Sequence, residues 1–266
     1  MNIILITTLV IAVTGMIVGA GLVATSKKFA VKVDEREAAV RKELPGNNCG
    51  ACGFAGCDAL AAAIAKGDAP VNACPVGGNP VAKKIGKVMG VEAGETERKV
   101  AFVACKGSCE VTKNQGNYIG IQDCRAAVMS GISVTDCSYG CLGFGSCAAV
   151  CPEQAIVVRD GVAVVNRNRC VSCGLCAKTC PRGLISLIPI SRVVQVQCSN
   201  HDRGPAVKKI CSAGCIGCTL CVKQCEFGAM TFDNNLAKVD SEKCTLCGKC
   251  AEKCPAKVIT AGTGPA

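Results

Sequence analysis

Cysteine makes up 25 of the 266 residues, and sixteen of these thiols fall into four close runs between Cys137 and Cys254. Two of the runs share one spacing: Cys170-x2-Cys173-x2-Cys176-x3-Cys180-Pro181 and Cys244-x2-Cys247-x2-Cys250-x3-Cys254-Pro255. Cysteines this close in sequence are poor disulfide partners, because a bridge needs particular Cα separations and opposed Cβ directions. They are good ligands for a shared inorganic core, and this spacing is that of a 4Fe-4S centre, whose chemistry is one-electron transfer. The odd number of cysteines and the length of the chain also argue against a secreted disulfide scaffold.

The other two runs are Cys137, Cys141, Cys147, Cys151 and Cys215, Cys218, Cys221, Cys225. From the last cysteine of the earlier run to the first of the later one is 19 positions in both pairs, so two units stand in register at an offset of 74. That is an internal duplication. The repeated run is the pattern of bacterial ferredoxins, in which three cysteines of one run take a fourth from the partner run. The rule assigns Cys137, Cys141, Cys147 and Cys180 to one centre and Cys151, Cys170, Cys173 and Cys176 to its neighbour. A third takes Cys215, Cys218, Cys221 and Cys254, and a fourth takes Cys225, Cys244, Cys247 and Cys250. The first run departs from the pattern with C-x3-C-x5-C-x3-C spacing, and Cys225 is followed by Glu226 where the other runs have proline.

A fifth group lies upstream in Leu44-Pro-Gly-Asn-Asn-Cys49-Gly-Ala-Cys52-Gly-Phe-Ala-Gly-Cys57, closed by Cys74-Pro75. Its glycines let the backbone wrap a compact core, and a helix over Ala59 to Lys66 stopped by Gly67 would return Cys74 to the loop. Zinc is the competing ligand, yet the usual two separated C-x2-C pairs are missing. The segment resembles the small 4Fe-4S domain of electron-transfer subunits and corrinoid iron-sulfur proteins. Cys105, Cys109, Cys124, Cys198 and Cys211 remain, and four of them are candidates for a sixth cluster. His201, the only histidine, falls in a polar turn and is not expected to be a ligand.

The elements that must hold these groups suggest an α+β fold. Ala155 to Val158 and Val162 to Val165 flank the turn dipeptide Asp160-Gly161, and Ala229 to Phe232 and Leu236 to Val239 flank Asp233 to Asn235, giving a hairpin in each duplicate. Lys99 to Ala104 and Val193 to Val196 read as strands, and Gln122 to Met129 as a short helix. Ile3 to Ala24 carries no charge over 22 residues, about 33 Å as a helix and enough to cross a bilayer. Lys27, Lys28 and Lys32 behind it predict a carboxyl-terminal bulk on the cytoplasmic side of the cell (inner) membrane. Gly15 and Gly19 form a small-x-x-x-small pair. The expected division is an anchor (1–26), a solvated stalk (27–43), the small 4Fe-4S domain (44–80), a linker (81–98), an additional cysteine-containing segment (99–136), ferredoxin-like module 1 (137–190), a connector (191–214) and ferredoxin-like module 2 (215–266).

The formal charge of +10 suggests an anionic partner such as nucleic acid. Each four-cysteine 4Fe-4S centre carries a charge of about −2, so five would cancel that excess and six would slightly reverse it. No Trp, two Tyr and six Phe also leave little to stack bases on, so no nucleic-acid role is expected. No Gly-rich dinucleotide fingerprint or P-loop motif occurs, and a single segment could span a bilayer.

In this order, the anchor, the Cys49 to Cys74 domain, Cys105-Lys-Gly-Ser-Cys109, Cys137-Ser-Tyr-Gly-Cys141-Leu-Gly-Phe-Gly-Ser-Cys147 and the repeated ferredoxin motifs resemble the B subunit of Rnf complexes in its cluster-rich form. The resemblance implies a ferredoxin:NAD+ oxidoreductase coupled to Na+ or H+ transport, in which this subunit accepts electrons from reduced ferredoxin and works with flavoprotein and membrane subunits. Lys223, Lys249, Lys253 and Lys257 would steer an acidic carrier to module 2. The electron-transfer subunit of another membrane oxidoreductase, or a zinc-binding interaction protein, would be the alternatives.

Overall fold

The computed structural model describes residues 2–28, 34–113, 116, 118–131 and 134–261. Lys32 of the expected stalk, parts of the 99–136 segment and the last five residues of module 2 lie outside that set.

Helix α1 (Asn2–Lys28) contains a 20-residue stretch, Ile6–Thr25, of mean hydropathy 2.2, none of it buried within the chain. An apolar surface all round a helix suits a lipid surround. After it come three helices, α2 (Glu35–Glu43), α3 (Cys57–Lys66) and α4 (Gly78–Met89). The side chains of Val40, Leu60, Ile64 and Ile85 meet between them in one core, each 0 to 1% exposed. Two expectations are corrected here. The stalk over 27–43 is not solvated throughout, because Val40 on α2 is buried in the small domain. The linker over 81–98 begins with most of a helix, because Val81, Ile85 and Met89 recur every four residues on the face that meets that core. Gly67 ends α3 in the left-handed conformation at φ 85°, its N–H bonding to the carbonyls of Ala63 and Ile64.

Beyond the small domain run β1 (Lys99–Val103), α5 (Cys124–Met129), α6 (Ser146–Ala149), β2 (Ile156–Arg159), β3 (Val162–Val165), α7 (Leu175–Thr179) and β4 (Ile185–Pro189). They are followed by β5 (Gln195–Val196), α8 (Gly204–Ile210), α9 (Leu220–Gln224), β6 (Met230–Asp233), β7 (Leu236–Val239), α10 (Lys249–Glu252) and β8 (Ile259–Thr260). β2 pairs with β3 and β6 with β7 as antiparallel hairpins. Asp160 and Gly161 have φ of 49° and 78°, and Asn234 and Asn235 of 47° and 61°, the signs a two-residue type I′ turn requires.

The duplicate is larger than its cysteine runs. β1 pairs antiparallel with β4, and β5 pairs antiparallel with β8, so each module is closed by a strand from upstream of its first run. Segments 99–136 and 191–214 therefore belong partly inside the modules they were expected to precede. Arginines repeat the relation: Arg98 Nη2 donates to the Cys170 carbonyl at 2.7 Å and Arg192 Nη1 to the Cys244 carbonyl at 3.0 Å. Val100, Ala101, Ile156 and Ile185 fill one core, and Val194, Met230, Leu236 and Val258 the other.

Candidate iron-sulfur centres

Three of the five ferredoxin-type and upstream groups are brought together with the membership the crossing rule gives. Cys215, Cys218, Cys221 and Cys254 line one hollow, Cys225, Cys244, Cys247 and Cys250 a second, and Cys151, Cys170, Cys173 and Cys176 a third. In each, a short helix carries the third cysteine of a run inward and the Pro- or Glu-marked fourth cysteine turns to the neighbouring hollow.

The remaining ferredoxin-type group differs. A hollow is lined by Cys141, Cys147, Cys180 and Cys124, without Cys137. Cys124 is set by a small polar network. Asp123 caps α5, its carboxylate accepting from the N–H groups of Arg125 and Ala126 at 2.8 and 3.0 Å, and the Ser146 hydroxyl donates to Asp123 Oδ2 at 2.7 Å. The same hydroxyl accepts from the Cys124 N–H at 2.8 Å. Ser146 precedes Cys147, so one hydroxyl fixes two of the converging cysteines. Its hydrogen bond is also the main reason the Asp123 carboxyl lies below its ordinary range. Phe144 occupies the place in the run where the duplicate has Cys218, and its ring packs on Tyr118 at 5.1 Å. The residue that replaces a cysteine thus anchors the segment that delivers the substitute.

Cys137 lines a different hollow together with Cys105, Cys198 and Cys211, and Cys141 borders both this hollow and the first. Cys105 follows β1, Cys198 follows β5 and Cys211 ends α8, so both modules contribute to it. Gly107 is required there: a Cβ at that position would lie 2.5 Å from Thr112 Oγ1, 3.5 Å from Cys211 Sγ and 3.6 Å from Cys105 Sγ. The expectation for Cys137 is corrected accordingly, and the candidates for a sixth group divide three ways: Cys105, Cys198 and Cys211 meet Cys137, Cys124 joins Cys141, and Cys109 is exposed beside the β2–β3 turn, its N–H on the Asp160 carbonyl at 2.8 Å. His201 sits in the expected turn, with Nδ1 2.8 Å from the Asn234 carbonyl.

In the small domain, Asn48 Oδ1 accepts from the Cys57 N–H at 2.8 Å and so clamps the glycine loop to the start of α3. Gly56 needs its small size, since a Cβ would lie 3.2 Å from Asn48 Oδ1. The Gly77 N–H points at Cys74 Sγ at 3.4 Å. Burial raises the Cys74 thiol, and the nearby Cys52 and Cys57 add to the effect.

Burial is the largest cause at the other hollows too, pushing Cys105, Cys147 and Cys221 up to about 11 and Cys176 to about 12. Thiolates grouped in dry surroundings need a cationic core to offset desolvation and mutual repulsion. Among the described residues no three His, Cys, Asp or Glu side chains form a site for a single metal ion. The cysteines instead surround apolar hollows, with N–H groups aimed at sulfur, as from Ala101 to Cys170 at 3.4 Å, Ala155 to Cys151 at 3.2 Å and Leu184 to Cys180 at 3.4 Å. That donor set fits a multi-atom iron-sulfur core.

The groups also adjoin one another in series. Cys49 is among the thiols whose charge adds to the burial that raises Cys173, and Cys147 plays the same part for Cys176. The Cys141 N–H donates to Cys105 Sγ and the Cys215 N–H to Cys198 Sγ, both at 3.4 Å. α9 and α10 pack together beside the last two hollows.

Family profiles agree with the cysteine geometry. An Fe-S cluster family matches residues 44–76, and a 4Fe-4S dicluster domain matches 136–184 and 214–258. The chain is 46% identical to the B subunit of the Na(+)-translocating ferredoxin:NAD(+) oxidoreductase complex of Acetobacterium woodii, over 98% of this chain and 78% of that protein. It is 44% identical to the B subunit of the ion-translocating oxidoreductase complex of Methanosarcina acetivorans, over 94% of this chain and 95% of that one. The chain belongs to the family of Rnf complex B subunits. As an Rnf B subunit it is an electron-transfer iron-sulfur component of an ion-translocating oxidoreductase complex. A third relative, 38% identical over 99% of this chain and 95% of its own length, is the B subunit of the proton-translocating ferredoxin:NAD(+) oxidoreductase complex of Clostridium ljungdahlii.

Proposed function

We propose that the chain is a six-centre electron relay, anchored in the membrane by α1 with its bulk on the cytoplasmic side, that takes electrons from reduced ferredoxin and passes them within an Rnf-type complex to the flavoprotein and membrane subunits. The single observation that carries this reading is the adjacency of the cysteine groups: N–H to sulfur contacts join the sets containing Cys141, Cys137 and Cys218, α9 packs on α10, and the thiols of the sets containing Cys49, Cys173 and Cys141 act on one another through charge. The series runs from Cys49, Cys52, Cys57 and Cys74 through the sets containing Cys173, Cys141, Cys137 and Cys218 to the set containing Cys247. The clusters, when bound, supply one-electron transfer. The chain's own residues hold the sulfurs, exclude water with valine- and isoleucine-rich strands, and aim N–H dipoles at the ligands.

Entry at module 2 is favoured because Cys218 and Cys247 are exposed, whereas their counterparts in module 1, Phe144 and Cys173, are half-buried. Exposed Leu220, Phe227 and Leu246 beside them offer the small, partly apolar contact of a transient redox encounter. The named relatives divide between Na+ and proton translocation, and the relay itself reads the same for either ion. Iron and sulfide analysis of anaerobically purified full-length protein tests the reading. Six centres require about 24 iron atoms per chain and five require about 20; zinc in place of iron would refute it.

A further inference from the structure

Asn200 and Thr112 are buried polar side chains, 2% and 6% exposed, and both face sulfur in the hollow shared by the two modules. Asn200 Oδ1 accepts from the Asp202 N–H at 2.6 Å, which fixes the amide so that Nδ2 is the end facing Cys137 Sγ at 3.4 Å. The Asn200 main-chain N–H also faces Cys198 Sγ at 3.4 Å. Thr112 is bridged by its backbone to Cys211, and its hydroxyl stands 3.4 Å from Cys211 Sγ. With Gly107 N–H and Cys141 N–H on Cys105 at 3.4 Å and Cys215 N–H on Cys198 at 3.4 Å, every one of the four sulfurs has a donor. At Cys170, Cys151, Cys180 and Cys74, the sulfurs of other groups, the donors are main-chain N–H. Here side chains are added.

One-electron reduction adds a negative charge that spreads onto the ligand sulfurs, and donors aimed at sulfur favour the more negative state. We propose that Asn200 and Thr112 are positioning residues that raise the reduction potential of the centre held by Cys105, Cys137, Cys198 and Cys211 above that of its neighbours on either side. The inter-module centre is then where an electron rests between the two modules. The inference depends on that ligand set, and its test separates the two.

Full-length, anaerobically purified protein in detergent would be titrated electrochemically and followed by electron paramagnetic resonance, with iron counted in each sample. Cys198→Ser identifies the signal by its loss together with about four iron atoms. Thr112→Val keeps the shape of the side chain without the hydroxyl, and Asn200→Asp keeps the acceptor to Asp202 while removing the amide donor. With iron content intact, each should disfavour reduction of that same signal roughly threefold to tenfold, a fall of ~30 to 59 mV for one electron. Thr112→Ser should restore the wild-type midpoint. An unchanged midpoint, a shift in a signal that survives Cys198→Ser, or loss of iron in Thr112→Val and Asn200→Asp would each overturn the proposal. Full iron in Cys198→Ser would instead overturn the ligand set on which it rests.

Discussion

Modules 1 and 2 share hairpins, a closing strand and an arginine on the main chain of their second run, yet they treat their cysteines differently. Module 2 completes its own two groups and leaves Cys218 and Cys247 exposed. Module 1 has Phe144 in place of the second cysteine of its first run, imports Cys124 through the Ser146 and Asp123 network, and lends Cys137 to a group shared with module 2. Overall charge does not divide this way, since module 1 has its own cations in Arg159, Arg167, Arg169, Lys178 and Arg182; what differs is where the lysines stand. Lys223, Lys249, Lys253 and Lys257 have Ala149, Leu175, Thr179 and Gly183 as their counterparts in module 1. One copy has kept an open face and the other has become an interior link, which duplication allows once either copy is free to vary.

The largest effects should come from the cysteines that break the symmetry. Cys124→Ser and Cys137→Ser should each remove about four iron atoms per chain, and the double variant about eight. Loss of only four in the double variant would mean that the two residues serve one centre. In the Cys124→Ser background, Phe144→Cys restores the run as module 2 has it, and iron analysis should recover about four atoms. Next in size, reversing Lys223, Lys253 and Lys257 to glutamate should slow ferredoxin-dependent reduction about tenfold at low ionic strength, with the difference closing as salt is raised. Lys178→Glu in module 1 should leave stopped-flow rates as they are; equal slowing would place docking elsewhere. Ser146→Ala should weaken the hold on Cys124 by about 1 kcal/mol, seen as faster bleaching by a chelator of one module 1 signal and none in module 2. Smallest of all, Glu226→Gln breaks the exposed ion pair with Lys249 at 2.6 Å. Such pairs contribute little, so the thermal midpoint should not move.

The ferredoxin groups of module 2 were legible because ligand spacing within a run is local and nearly invariant to its surroundings. The crossing rule puts Cys137 with Cys141, Cys147 and Cys180, although the offset of 74 itself sets Cys137 against Cys211, Cys141 against Cys215 and Phe144 against Cys218. Cys124 had no comparable signal: its place depends on a serine 22 residues later, a contact that spacing does not encode. The stalk concealed a core position because Val40 is the one large apolar residue in a charged helix, and burial there depends on α3 and α4. The closing strands β1 and β5 read as strands, but their partners lie far along the chain, beyond the reach of local patterning.

That distance sets an order of events during synthesis. β1 leaves the ribosome roughly 80 residues before β4, and β5 roughly 60 before β8, which at typical elongation rates is on the order of 3 to 16 seconds each. For that interval each module has an unpaired edge strand and a set of reduced thiols with nothing opposite them. The shorter gap for module 2 makes it the quicker of the two to complete its strand pairing.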